Sequence, residues 1–478
     1  MTPAKRNPED RPVANLLAPD IIALLEEAPG DLAAETEEIH PADLAEVADN
    51  LDREQLQAFL NALGPARAAD VLEYVDEEVR TEFLESVTPR QAAELVTQMT
   101  PDDRADTLEE IDEERVEEIL SEIPTEARRE TEQLLGYDPA SAGGLMTTEF
   151  VSVAEDMTVE AALENVRAVA RSGKKEVMNV IYATDPQGRV AGVMSLRELL
   201  AAPAGAKISE IAWSEVVSVS PSADREAVAQ VIADYDLIAV PVVSESGHMM
   251  GVITVDDVID AIQEEQTEDV QKFGGLEALD EPYTTIGFWA MIKKRGGWLA
   301  ILFVGEMLTT WATGSYAHEL ETTVILSLLM PLIISSGGNS GSQATSLIIR
   351  AMALNEISLR DWFRVAMREL PAGLTLGIGL GALGFMRISV WHALGLGDKV
   401  GCEHYMLVGA VIWLSVIGVV TFGTLAGSML PFLLRRLRLD PASASAPFVA
   451  TLVDVTGLVI YFNVASLVLR DVQLCRPT

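Results

Sequence analysis

Five times between residues 297 and 469 the chain runs apolar for about 20 residues or more, the length that carries an α-helix across a hydrocarbon core. The stretches are roughly 297–317, 324–349, 370–392, 405–434 and 446–469. A bilayer offers backbone N–H and C=O groups no water, so this part of the chain is committed to helices. Two acids interrupt the apolar pattern. Asp454 lies in the middle of the last stretch, and a carboxylate there is costly unless a wet interior uses it, which makes it a functional-site candidate by default. Glu306, in the first stretch, reads as a pore or packing residue facing Thr421 or Thr424, or as a residue near a membrane interface. The run Pro331-Leu-Ile-Ile-Ser-Ser-Gly-Gly-Asn-Ser-Gly-Ser-Gln343 adds Gly337, Gly338 and Gly341. These predict a helix unwound at membrane depth with carbonyls facing an ion, although such glycines also serve close helix packing.

Charge divides the chain as sharply as hydropathy does. Residues 1–290 hold 62 of the 73 Asp and Glu and 20 of the 34 Lys and Arg, a net charge of −42; residues 291–478 carry +3. The start, Met1-Thr-Pro-Ala-Lys-Arg, is polar with no apolar core behind it, so the acidic half is expected in the cytosol. Basic residues gather at Lys293–Arg295, at Arg350–Arg368 and at Arg435–Arg438, whereas the alternate connections hold only Arg387 and Lys399 with His318, Glu319, Glu321 and Glu403. The positive-inside rule then puts the N-terminus in the cytoplasm and the C-terminus outside a plasma membrane. Cys402 and Cys475 make neither a disulfide framework nor a zinc pattern. Gly379-Leu-Gly-Ala-Leu-Gly384 matches a dinucleotide string but has no strand before it; with Gly373, Gly377 and Gly381 it reads as a packing face. No phosphate loop or nucleophile elbow appears, so an enzyme is not expected, nor a nucleic-acid partner.

Within the acidic half, residues 1–30 read as a flexible tail and 31–136 as an acidic helical domain. There Pro41, Pro65 and Pro89 recur every 24 residues, with Pro101 half an interval later, each followed by an apolar stripe. Proline at a first helical turn repeated this way predicts a solenoid-like stack of short helices. Residues 137–202 and 203–262 hold a duplication. Val151-Ser-Val, Val180-Ile-Tyr-Ala-Thr-Asp and Gly188-Arg-Val-Ala-Gly-Val-Met-Ser-Leu-Arg-Glu-Leu-Leu answer Val217-Ser-Val, Val240-Pro-Val-Val-Ser-Glu and Gly247-His-Met-Met-Gly-Val-Ile-Thr-Val-Asp-Asp-Val-Ile. Each copy predicts a β-α-β-β-α unit. Residues 263–290 follow as an acidic connecting helix, and 291–478 as the membrane domain.

The duplicated pattern resembles a pair of CBS domains, which regulate attached channels or enzymes through a cleft for adenine nucleotide or metal. Thr254 and Asp257 match that family's Ser/Thr-x-x-Asp contact to a ribose, whereas the first copy has Ser195 and Glu198, so the second cleft is the candidate ATP site. With the helical domain, the connector, Gly337-Gly-Asn-Ser-Gly-Ser-Gln343 and Asp454-Val-Thr-Gly457, the chain from about residue 40 to 470 resembles the MgtE family of magnesium channels or transporters. The resemblance implies a multidomain membrane protein: an all-α cytosolic helical bundle, an α/β tandem CBS pair and a five-helix transmembrane domain. It implies a homodimer that admits Mg²⁺ between the second and fifth spans of both subunits and is gated shut by intracellular Mg²⁺. Asp454 then holds a hydrated Mg²⁺ with Asn339 and the backbone around Gly338 and Ala450. Asp440, Glu268 and Asp269 hold metal at the cytosolic mouth, and Asp102, Asp106, Asp236, Asp257, Asp260 and Glu265 hold regulatory Mg²⁺. Charge alone argues in the same direction, because a half at −42 repels itself until divalent ions bridge its carboxylates. A swing from 1:99 to 99:1 needs about 5.5 kcal/mol, which several weak sites share more readily than one. Two rival readings are a channel for another divalent cation such as Mn²⁺ or Co²⁺, and a non-conducting membrane receptor whose CBS pair senses nucleotide.

Overall fold

Proline opens five of the ten α-helices described between residues 12 and 134. The computed structural model describes residues 12–172, 177–279, 283, 286–316, 324–394 and 405–469. The chain divides into two compact units, Met1–Glu265 and Gln266–Thr478. Helices α1 (Pro12–Glu27), α2 (Leu32–Glu35), α3 (Pro41–Ala48), α4 (Arg53–Leu63), α5 (Pro65–Leu72), α6 (Glu77–Ser86), α7 (Pro89–Val96), α8 (Pro101–Glu109), α9 (Glu113–Glu122) and α10 (Thr125–Leu134) open the first unit. Pro41, Pro65, Pro89 and Pro101 each stand in a first turn, where the missing N–H costs nothing. Thr88 closes a capping box with Gln91, and Thr100 accepts from the N–H of Asp103.

The helical repeat is visible in its hydrogen bonds as well as its prolines. Arg67 donates to the carbonyls of Thr36 and Ile39, and Arg115 donates to those of Leu84 and Val87, in both cases 31 and 28 residues back. Two guanidinium groups thus close the ends of equivalent helices. Leu44, Phe59, Leu72, Leu84 and Ile119 fill the core between them. Residues 12–27, expected as part of a flexible tail, instead form α1, whose Ile21 enters this core. The reason is an amphipathic stripe, Leu17, Ile21, Leu24 and Leu25, that the helical period places on one face.

The duplication folds as two matching halves. Strands β1 (Phe150–Ala154), β2 (Val177–Thr184) and β3 (Val190–Ser195) form one sheet, β1 parallel and β3 antiparallel to β2. Helices α11 (Val159–Ser172), α12 (Leu196–Ala201), α13 (Ile208–Ile211) and α14 (Arg225–Tyr235) lead to β4 (Ala239–Val243) and β5 (Met249–Thr254), an antiparallel pair. Val219 bridges Val242 in parallel, where the second copy's first strand belongs. The hairpin glycines Gly188 and Gly247 hold φ of +81° and +82°, which favours glycine in both copies. Helix α15 (Val255–Phe273) closes the second copy and runs on without a break, so the boundary drawn at residue 262 falls inside a helix.

In the second unit five long helices follow: α16 (Phe288–Ser315), α17 (Val324–Ala353), α18 (Trp362–Ala393), α19 (Tyr405–Arg436) and α20 (Ala446–Leu469). Among the described residues three stretches are long and apolar enough to cross a membrane, Leu359–Ala393, Tyr405–Arg436 and Ala446–Leu469. Helices α16 and α17 have the length, and charged or small polar residues dilute their apolar character. Val419, Val453, Tyr461 and Phe462 form the core among α16, α17, α19 and α20.

Glycine sets how closely these helices approach. A methyl group on Gly341 would lie 2.9 Å from the Gly423 carbonyl oxygen, and one on Gly427 would overlap the carbonyl of Gly341. Such contacts let two backbones touch, and the polar pair Ser340–Thr424 (2.7 Å between hydroxyls) and the Thr345 hydroxyl on the Gly427 carbonyl (2.9 Å) stitch them. Along α18, Gly373, Gly377 and Gly381 meet Thr421, Ile417 and Trp413 of α19, as the four-residue spacing predicts. Helix α17 is unbroken across Gly337–Gly341, which corrects the expectation of an unwound segment. Its ladder is kept because Gly337 and Gly341 are needed for the approach of α19 and α20, not for exposing carbonyls.

Candidate cation site

The acid in α20 opens into a cavity of about 430 Å³ lined from three helices. Helix α17 contributes Ser335, Gly338, Asn339 and Ser342, α20 contributes Ala450 and Asp454, and α16 contributes Glu306 and Thr309. All four residues expected at the pore metal, Asp454, Asn339, Ala450 and Gly338, line it. The α-helical period explains the α17 set, since residues 335, 338, 339 and 342 share one face. Gly338 lies over Ala450, and a methyl group there would stand 3.6 Å away, so the glycine widens the wall without a clash. Among the described residues no Lys, Arg or His lines the cavity, and the charged groups there are the carboxyls of Glu306 and Asp454. Glu306 is not at Thr421 or Thr424: Thr424 is bonded to Ser340, and Thr421 packs under Gly373.

A second concentration of acid lies in the cytosolic unit, where α8 packs on the start of α15. Burial and the neighbouring Asp103 push the Asp102 carboxyl up to about 6, and one of its oxygens is buried without a partner. Enclosure by protein, with Asp102 and Asp103 alongside, pushes Asp106 to about 7 although its side chain still reaches solvent. Burial and Asp102 push Asp257 to about 8. Three of the expected regulatory acids, Asp102, Asp106 and Asp257, are therefore brought together, and each pays in charge repulsion for the company. Asp260 is exposed on α15 near Asp256 and Glu264, and Asp236 is an exposed left-handed cap of α14 with φ of +51°.

The remaining acids have partners that the sequence did not announce. Arg225 holds Glu264 at 2.7 Å and pairs with Glu265 as well. Lys272 bridges Glu268 and Asp440, the latter at 2.6 Å across 168 residues of sequence. An ammonium group thus stands where metal was expected between those two mouth acids, while Asp269 lies half-buried beside Glu268. Lys272 is the one base among ten acids between residues 255 and 282, which was the available signal. Thr254 and Asp257 bond to each other as a helix cap, and Ser195 and Glu198 do the same in the first copy. Among the described residues no three Asp, Glu, His or Cys side chains close on one point as direct ligands. What the acids offer is a loose negative field, suited to an ion that keeps its water.

Comparison with known proteins agrees with this layout. The family described as "Divalent cation transporter" (MgtE) matches residues 330–464, the MgtE intracellular N domain matches 39–140, and CBS domains match 142–205 and 208–264. The chain is 42% identical over 343 residues to the magnesium transporter MgtE of Thermus thermophilus, covering 72% of this chain and 73% of that one. It is 33% identical to the Enterococcus faecalis magnesium transporter MgtE over 71% of this chain and 72% of that one. A crystal structure of the soluble part of a magnesium transporter superposes with a TM-score of 0.50 at 30% identity, covering 53% of this chain and 99% of that one. The matches run through the helical repeat, the duplicated unit and the helices around the cavity, and the chain belongs to the MgtE family of magnesium transporters.

Proposed function

We propose that the chain is a homodimeric channel or transporter that admits Mg²⁺ through the plasma membrane along the Asp454 cavity and is closed by intracellular Mg²⁺ bound to its acidic cytosolic half. The observation that carries this reading is an intramembrane carboxylate, with no base among the described lining residues, in a cavity of about 430 Å³ whose wall is part polar and part apolar. At roughly 30 Å³ per water, such a volume holds an ion together with its hydration shell. Mg²⁺ sheds water reluctantly, so Asp454 and the Asn339 amide serve it through its waters, with Gly338 and Ala450 forming the wall between them. Family membership supports magnesium over Mn²⁺ or Co²⁺, and carboxylate oxygen by itself discriminates poorly among them. A receptor that does not conduct has no use for the acid in α20. Purified protein in liposomes should load Mg²⁺ down its gradient, and Asp454→Ala should lose at least 90% of that flux, by order of magnitude, while keeping its elution volume in detergent. Wild-type flux in the variant rejects the pathway.

Closure by Mg²⁺ is supported by the Asp102, Asp106 and Asp257 cluster, whose raised proton affinities come first from burial and then from mutual repulsion, both of which a bound cation offsets. Asp440, Glu268 and Asp269 join this scheme only if metal displaces Lys272 from two of them. For ATP the support is narrower, because Thr254 and Asp257 are already joined as a cap. ATP binding to the full chain that survives Thr254→Val would move the nucleotide elsewhere.

A further inference from the structure

Helix α16 is pinned to α20 at three levels with almost constant offset. The Trp298 indole N–H donates to the Ser445 hydroxyl at 3.1 Å, and the Asn463 amide donates to the Tyr316 hydroxyl at 3.3 Å, each pair 147 residues apart. Between them Gly305 lies against Thr451, where a methyl group on the glycine would stand 3.0 Å from the threonine methyl. Tyr316 also stacks on Phe462, with ring centroids 4.6 Å apart. Helices fastened in parallel at the bottom, middle and top cannot rotate independently. The shared offset puts Glu306 level with residues 452–453, within one turn of Asp454, and both carboxyl groups line the same cavity.

We propose that Glu306 is a second carboxylate of the cation pathway, sharing the ion with Asp454 and raising the pathway's preference for doubly over singly charged cations. The inference rests on the cavity being that pathway. Its surroundings leave Glu306 no other evident task. Phe303, Val304, Met307, Leu308 and Trp311 of the same helix are large and exposed, an apolar sleeve in which a carboxylate is costly unless it turns to the polar wall. Thr309, one turn on, lines that wall, and its hydroxyl is buried without a partner. At roughly 6 Å in water-like surroundings a unit negative charge favours a divalent ion about tenfold and a monovalent ion about threefold. The difference is selectivity by charge, added without stripping water from the ion.

The test is uptake by the full-length protein in liposomes over a range of external Mg²⁺, with Na⁺ leak measured in parallel. E306Q should raise the half-saturating Mg²⁺ concentration about tenfold and lower the Mg²⁺ to Na⁺ ratio about threefold, and E306D should restore both. If E306Q passes nothing at any concentration while E306D behaves as wild type, the carboxylate is required and the inference stands. Wild-type values in E306Q, or loss of uptake in both variants, overturns it. Asp454→Ala run beside them separates the two readings: if that variant conducts normally the cavity is not the pathway, whatever Glu306 does.

Discussion

At the scale of single residues, the membrane unit depends on what glycine leaves out. Gly423 and Gly427 let the backbone of α19 rest on that of α17 at Gly337 and Gly341, and any side chain there must push two helices apart. Gly427→Ala should therefore destabilise the detergent-solubilised protein by about 1–3 kcal/mol, the usual cost of overpacking. Gly379→Ala, which meets open space, should change the thermal midpoint little or raise it. Equal midpoints for the two variants would show that the α17–α19 crossing is not rigid. The same residue-scale logic separates Asp454 from its neighbours. Its presence in an apolar stretch was readable as function, because charge in hydrocarbon has few structural excuses. Glycines carry no such signature, since close packing and exposed carbonyls call for the same residue, and only the intact ladder of α17 decided between them.

At the scale of elements, α8 and the start of α15 form a pair held by apolar contacts, Ala105 and Val258 among them, and opposed by Asp102, Asp106 and Asp257. All three carboxyls are raised in the fold, to about 6, 7 and 8, so the folded protein binds more protons than the unfolded chain between roughly pH 4 and 8. Stability contributed by this pair should then fall as pH rises through that window and level off above it. In chelator, the unfolding midpoint of the cytosolic transition should rise on acidification from pH 8 to 6. Millimolar Mg²⁺ should flatten that slope by replacing the protons, with proton release on binding measurable by calorimetry in two buffers. A slope that Mg²⁺ leaves unchanged would remove the cluster from the list of metal sites. The prolines that start α3, α5, α7 and α8 were legible because a missing N–H has one comfortable place in a helix. The bridge from Lys272 to Asp440 was not, because 168 residues of chain separate its ends.

At the scale of the whole molecule, 62 acids against 20 bases in the first 290 residues make the cytosolic half a body that monovalent salt screens but does not cross-link. Divalent ions do both, so under the proposed gating the response to Mg²⁺ should be steeper than the response to ionic strength. The triple variant Asp102→Asn, Asp106→Asn, Asp257→Asn should keep conducting in millimolar internal Mg²⁺ that closes the wild type. It should also lose the Mg²⁺-dependent protection of residues 260–290 from protease. Unchanged closure in that variant would place the sensor on other acids.

The sequence by itself determined the division into an acidic cytosolic half and an apolar helical half, the two repeats, and the two acids, Asp454 and Glu306, that interrupt the apolar stretches. Those follow from local physics: periodicity, the chemistry of proline and the cost of burying charge all act within a few residues. Only the tertiary structure decided that α1 belongs to the core, that the glycines of α17 serve contact, and that Arg225 and Lys272 occupy acids that metal was expected to hold. It also decided that Glu306 lines the same cavity as Asp454, because which way a helix faces is set by the partner it packs against, and that partner lies almost 150 residues away.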